Sequence, residues 1–206
     1  MKGTLFVVSG PSGVGKTSII NSVINMLDNV VFSVSCTTRP PRPGEVDGVD
    51  YFFITKEKFL EMVDNSEFLE WAEVHGNLYG TPKNFVQENI KKGKRIILDI
   101  DVQGALQVKR NFDEAVFIFV APPSYEVLRE RLLKRGTEEP EALLKRLDNA
   151  KWELSKMIEF DYLIVNDDLV NSIQIMKSII VGETYKTKRV LTEELIKNLF
   201  KGVTDK

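Results

Sequence analysis

The residues Gly10-Pro11-Ser12-Gly13-Val14-Gly15-Lys16-Thr17 match the phosphate-loop pattern G-x-x-x-x-G-K-[ST] at every defining position. An apolar run at 4–8 precedes them, and Ile19, Ile20, Val23, Ile24 and Leu27 follow at helical spacing, so the pattern sits between a strand and a helix. Glycines at 10, 13 and 15 permit φ values that turn successive N–H groups toward phosphate oxygens at a helix N-terminus. Lys16 then reaches the β- and γ-phosphates, and the Thr17 hydroxyl joins a Mg²⁺ ion that bridges them. Gly10, Ser12, Gly13, Val14, Gly15, Lys16, Thr17 and Ser18 are therefore the expected nucleoside triphosphate site.

The other residues capable of chemistry are charged. Arg39 and Arg42 lie in a loop with three prolines and a glycine in five positions, 40–44, and are either functional or part of a charged linker. Asp99 and Asp101 stand at the carboxyl end of the apolar run 95–100, the edge where open α/β sheets bind ligands. One of them holds Mg²⁺ through water, or Asp101 merely caps the following helix. Arg131 and Arg135 share a helix face, and Arg146 lies off the apolar stripe of the next helix. Taken singly, each of these arginines reads as a surface charge.

Positioning these residues requires alternating strands and helices. Strands are expected at 4–8, 30–34, 51–54, 68–74, 95–100, 116–121 and 162–165. A short helix is expected over 56–63. Thr81-Pro82 reads as a helix N-cap with proline at the first helical position, and Gly93 ends that helix. Ser124 caps a helix closed by Gly136, and a longer one starts near Thr137 and Pro140. Its Leu143, Leu144, Leu147, Ala150, Leu154 and Met157 make one apolar stripe toward the core. A last long helix runs to about Tyr185. The reading is one α/β core, residues 1–185, with an irregular insert at about 35–90 and a helical hairpin at about 125–159. In the extension 186–206, Leu195, Ile196, Leu199 and Phe200 form a helical apolar patch expected to pack on the core or on another subunit.

Composition narrows the chemistry. With 206 residues and 43% hydrophobic content the chain builds a sizeable core. A net charge of −2 offers no global attraction to nucleic acid or an anionic membrane. Neither partner is expected, and oligomeric state stays open. His75 is the single histidine, which excludes His-centred triads. Cys36 is the single cysteine, so no internal disulfide forms; a cytoplasmic location is expected, and Cys36 reads as a small buried hydrophobe.

Taken in order, the motifs identify a family. Besides the phosphate loop they include Ser33 to Arg42, Gly44-Glu45-Val46-Asp47-Gly48-Val49-Asp50-Tyr51, Glu70-Trp71-Ala72, Tyr79-Gly80-Thr81, Leu98-Asp99-Ile100-Asp101-Val102-Gln103-Gly104, Ala121-Pro122-Pro123-Ser124, Arg135-Gly136-Thr137 and Val165-Asn166-Asp167-Asp168. Over roughly residues 3 to 185 the chain resembles the guanylate kinases. The resemblance implies a P-loop nucleoside monophosphate kinase fold: a parallel-sheet core that binds ATP, an insert that binds GMP, and a helical lid.

By that resemblance Ser35, Glu70 and Thr81 contact guanine, while Arg39, Arg42, Tyr51 and Tyr79 hold the GMP phosphate. Asp99 and Asp101 divide between GMP and Mg²⁺. Lys16 with the lid residues Arg131, Arg135 and Arg146 neutralises the transferring phosphoryl group, and Asn166 lies near adenine. The chemistry agrees: arginines and tyrosine hydroxyls donate to a phosphate dianion, and a carboxylate accepts from the N1–H and 2-amino edge of guanine. The implied reaction is ATP + GMP ⇌ ADP + GDP with Mg²⁺. Two alternatives are a catalytically silent interaction module of the same family and a same-fold kinase for another acceptor; the intact Lys16, arginines and Glu70 weigh against both.

Overall fold

The computed structural model describes residues 2–74, 76–134 and 140–201, with the side chains of 140–145 excepted. His75, Arg135, Gly136, Thr137 and the side chains of Leu143 and Leu144 lie outside the described residues. In chain order the elements are β1 (Thr4–Ser9), α1 (Lys16–Met26), β2 (Val30–Phe32), β3 (Cys36–Thr37), β4 (Phe52–Phe53), α2 (Lys56–Asp64), β5 (Phe68–Val74), β6 (Asn77–Pro82) and α3 (Lys83–Lys91). There follow β7 (Arg95–Asp99), α4 (Val102–Asn111), β8 (Val116–Ala121), α5 (Tyr125–Lys134), α6 (Pro140–Ser155), a 3₁₀ turn (Met157–Glu159), β9 (Tyr162–Val165), α7 (Leu169–Thr184), α8 (Thr187–Val190) and α9 (Glu193–Leu199).

The core is a parallel sheet in the order β2-β7-β1-β8-β9. Every residue of β1 and β8 is buried, as continuous apolar runs covered on both faces demand. Alternation along the strands divides the packing. Phe6, Val8, Ile97, Ile118 and Val120 meet Ile19, Ile20, Ile173 and Met176 of α1 and α7 on one face. Leu5, Val7, Ile96, Leu98 and Phe117 meet Val86, Ala105 and Val108 of α3 and α4 on the other. The phosphate loop, Asp99, Asp101 and Asn166 consequently gather at the carboxyl edge of this sheet.

A second sheet, β4-β3-β6-β5, forms the insert around Cys36, Phe59 and Leu78. Here one local signal is overridden. Thr81 and Pro82 belong to strand β6, Thr81 pairs with Glu70 of β5, and α3 begins only at Lys83. The Thr-Pro pair looks like a cap locally, but pairing to β5 consumes the same backbone. Gly93 does follow the end of α3 with φ 73°.

The apolar stripe of α6 is only partly a core face. Leu147 and Ala150 are buried and Leu154 half-buried, whereas Met157 is 43% exposed in the 3₁₀ turn. The extension splits similarly. Arg189 is buried, donating to Thr4 Oγ1 (3.2 Å) and the Glu114 carbonyl (3.1 Å). Along α9 and its C-cap, by contrast, Leu195 is half-buried while Ile196, Leu199 and Phe200 stay exposed, so most of the expected patch is left uncovered by its own chain.

Candidate active site

The phosphate end of the site is built by close approach. Gly10 (φ 140°) lies against the Val120 carbonyl, where a Cβ would overlap it. Gly15 (φ 94°) is the N-cap of α1, and a Cβ there would stand 2.6 Å from Asn166 Nδ2. Asn166 straps the loop from outside: its Nδ2 donates to the Val14 carbonyl (2.6 Å), and its Oδ1 accepts from Ser172 Oγ (3.0 Å). Lys16 Nζ donates to the Gly10 carbonyl (2.6 Å) and lies 3.8 Å from Asp99 Oδ1. Thr17 Oγ1 stands 3.5 Å from Asp99 Oδ2. Burial raises the Asp99 carboxyl above its ordinary value, against the opposing pull of Lys16 and the Thr17 hydroxyl.

The insert contributes a cluster of donors and one buried acceptor. Glu45 organises the arginine loop, its Oε1 accepting from Arg39 (2.8 Å) and its Oε2 from the Arg42 N–H (2.7 Å). Arg39 stacks over Tyr51, 5.5 Å from the ring centre, and Tyr51 meets Tyr79 edge-on at 5.9 Å. Burial first, and then Asp99, push the Tyr51 hydroxyl up to about 12, so it remains a donor at neutral pH.

Glu70 is 5% exposed on β5, and its Oε1 accepts from the Thr81 hydroxyl at 2.6 Å. Burial pushes Glu70 up to about 7; the Thr81 hydroxyl opposes this and Asp101 reinforces it. Asp101 itself is the N-cap of α4, its Oδ1 accepting from the N–H groups of Gln103 (2.7 Å) and Gly104 (3.1 Å). The capping reading of Asp101 is therefore correct, and Asp101 still faces the site beside Glu70.

These two ends open into one cleft of about 460 Å³, closed on its third side by α6. Arg146 Nη1 donates to Ser12 Oγ of the phosphate loop (3.2 Å), and Asn149, Trp152 and Glu153 line the same wall. Glu153 sits where Lys16 and Asp101 both act on it; burial pushes it up to about 7, against the pull of Lys16.

Of the expected site residues, Gly10, Ser12, Gly13, Gly15, Lys16, Thr17, Ser18, Ser35, Arg42, Tyr51, Glu70, Tyr79, Asp99, Asp101 and Arg146 line this cleft. Others stand behind it. Val14 is fully buried, Thr81 supports Glu70, and Asn166 supports the loop. Arg39 is held by Glu45, and Arg131 donates to the Asn166 carbonyl at 3.0 Å. Sequence reasoning missed Asn149, Trp152 and Glu153. Their spacing from Arg146, three, six and seven residues along one helix, was the available signal. Among the described residues no trio of His, Cys, Asp or Glu forms a metal cluster, and no helix is long and apolar enough to cross a membrane.

Comparison with known proteins agrees with this geometry. Residues 2–183 match the family model described as guanylate kinase. A guanylate kinase of Thermotoga maritima is 61% identical over 189 residues, 92% of this chain and 91% of that protein. One from Symbiobacterium thermophilum is 50% identical over 91% of this chain and 89% of its own length. The crystal structure of guanylate kinase from Anaplasma phagocytophilum superposes with a TM-score of 0.81 at 37% identity, covering 97% of this chain and 96% of that one.

Proposed function

The chain belongs to the guanylate kinase family, and from that premise we propose how its cleft works as it transfers the γ-phosphoryl group of ATP to GMP. The observation that carries the reading is that the Lys16 loop and the buried Glu70 carboxylate open into one cleft, so donor phosphates and acceptor base can be brought together in a single site.

ATP enters with its phosphates in the loop 10–18, where backbone N–H groups and the start of α1 favour negative charge. The Lys16 ammonium exchanges the Gly10 carbonyl for phosphate oxygen. GMP binds with guanine on Glu70 and its phosphate against Arg42, Tyr51 and Tyr79, with Arg39 released from Glu45 or acting behind them. Thr81 fixes the Glu70 carboxylate, and Ser35 offers a further hydrogen bond to the base. The attacking group is a phosphate oxygen that is anionic at neutral pH, so no general base is required. Arg146, already at Ser12, neutralises the transferring group, joined by Arg131 and Arg135 as the lid tightens.

Mg²⁺ fits the residues present. An exposed Thr17 hydroxyl beside the Asp99 carboxylate, with no cluster of protein ligands among the described residues, suits an ion held mainly by phosphates and water. When bound it supplies neutralisation of the β- and γ-oxygens. Asp99 thus serves the metal side and Asp101 the guanine side. A reducing compartment, the cytoplasm, is the proposed location, supported by the buried, unpaired Cys36.

The test is a coupled ADP-release assay with GMP, AMP, CMP and UMP as acceptors. Turnover confined to GMP and close analogues is expected. Equal turnover of AMP would overturn the assignment of the acceptor site.

A further inference from the structure

Glycine inside a helix is unfavourable by about 1 kcal/mol against alanine, so a helical glycine that no backbone geometry demands calls for another cause. The chain has such a residue at 104, buried in the first turn of α4 with no positive φ. A Cβ built there would overlap Glu70 Oε2, closer than real Cβ atoms approach, and would stand tightly against Glu70 Cδ at 3.1 Å. The other glycine within a described helix, Gly182, has nothing within 4 Å, so crowding at 104 is specific to this site.

We propose that Gly104 is a positioning residue for guanine recognition: the missing side chain forms the floor on which the Glu70 carboxylate lies. The proposal rests on the reading of Glu70 as the guanine acceptor. Oε1 is fixed from one side by the Thr81 hydroxyl at 2.6 Å. Oε2 is fixed from the other by the Cα surface of Gly104, whose N–H is already taken by Asp101 at 3.1 Å and makes no competing claim on the carboxylate. The α4 turn is itself immobilised, because Asp101 also accepts from Gln103 N at 2.7 Å. Glu70 is thereby held in one pose at the wall of the cleft, where an acceptor-only carboxylate can meet two adjacent donors on a base. A methyl group at 104 forces the carboxylate, not the helix, to move, by roughly 1 Å, and misplacement on that scale costs about 10²-fold in rate.

The experiment is a double-mutant cycle of Gly104→Ala and Glu70→Ala, read as kcat/KM for GMP and for IMP, KM for ATP, and melting temperature without nucleotide. Gly104→Ala is expected to lower kcat/KM for GMP by about 10²-fold, chiefly through KM, and to compress the GMP-to-IMP ratio while KM for ATP stays within about twofold. In the Glu70→Ala background, where the clash is gone, the same substitution is expected to cost nothing further. Equal losses in both backgrounds, or a loss shared by ATP, would mean Gly104 serves α4 packing and would overturn the proposal. A Gly104→Ala enzyme with wild-type GMP kinetics would overturn it too. Failure of the underlying reading looks different: Glu70→Ala alone would then keep the wild-type GMP-to-IMP ratio.

Discussion

Replacing Glu70 by glutamine should make the nucleotide-free protein more stable while spoiling its acceptor site. Glutamine keeps the shape, and its carbonyl oxygen can still accept from Thr81 Oγ1, now 2.6 Å from Glu70 Oε1. What disappears is a carboxylate whose burial pushes it up to about 7 from an ordinary 4.5. For such a group the native state binds more protons than the unfolded chain between those two values, so stability falls as pH rises through the window. At about 1.4 kcal/mol per unit, the penalty reaches about 3 kcal/mol above pH 7 and vanishes below about 4.5. Urea unfolding of wild type and Glu70→Gln from pH 5 to 8, without nucleotide, reads the difference directly. It should grow with pH and correspond near pH 8 to a melting-temperature gain of roughly 6–12 °C for a chain of this size. A difference that does not change with pH, or a variant less stable at pH 8, would refute the claim that an ionised, desolvated carboxylate is held ready for guanine.

Lys16→Ala should abolish turnover and leave the melting temperature within a few degrees, since among the described residues the ammonium's hydrogen bonds and ion pair go to the loop carbonyls and Asp99; activity within about tenfold of wild type would argue against the phosphoryl-transfer role. Arg189→Ala should cost about 3 kcal/mol of stability with GMP and ATP kinetics unchanged, because it removes donors to Thr4 and Glu114 and leaves the buried Glu183 with less compensation; urea unfolding beside steady-state kinetics checks both halves. Small-angle scattering should show a smaller radius of gyration when a two-headed ATP–GMP analogue binds, as insert and lid fold over the core, and an unchanged radius would contradict closure. Chelation of Mg²⁺ should stop turnover while calorimetric GMP binding persists, because the proposed acceptor ligands Glu70, Arg42, Tyr51 and Tyr79 need no metal.

The donor half of the site was legible because its information is local. One uninterrupted stretch supplies loop, lysine and hydroxyl, and the flanking apolar runs are the strand and helix that aim them. Asp99 was legible for a related reason, a carboxylate directly after the buried residues Ile96, Ile97 and Leu98 of one strand. The acceptor half depends on pairings between distant segments. Thr81 reads locally as a helix cap, yet β5–β6 pairing makes it the partner of Glu70 eleven residues away. Glu153 escaped notice because an acidic residue on an amphipathic helix normally faces water, and only docking of α6 over the phosphate loop turns it inward. Asn166 was expected near adenine, and in the structure its amide is engaged with Val14 and Ser172, behind the phosphate loop. The exposed α9 patch shows the converse: helical periodicity fixes which residues share a face, and leaves open whether anything covers it.

The most direct test of the account is the ratio of kcat/KM for GMP to that for AMP, measured in wild type and in Glu70→Ala. Guanine presents two adjacent donors to the carboxylate, whereas adenine presents an acceptor at N1 and has no 2-amino group, so a site built on these hydrogen bonds should favour GMP by roughly 10⁴ to 10⁵. Removing the carboxylate should lower GMP turnover far more than AMP turnover and compress that ratio, with KM for ATP little changed. A mutant that keeps the wild-type ratio would contradict the account, for guanine would then be read by residues other than Glu70.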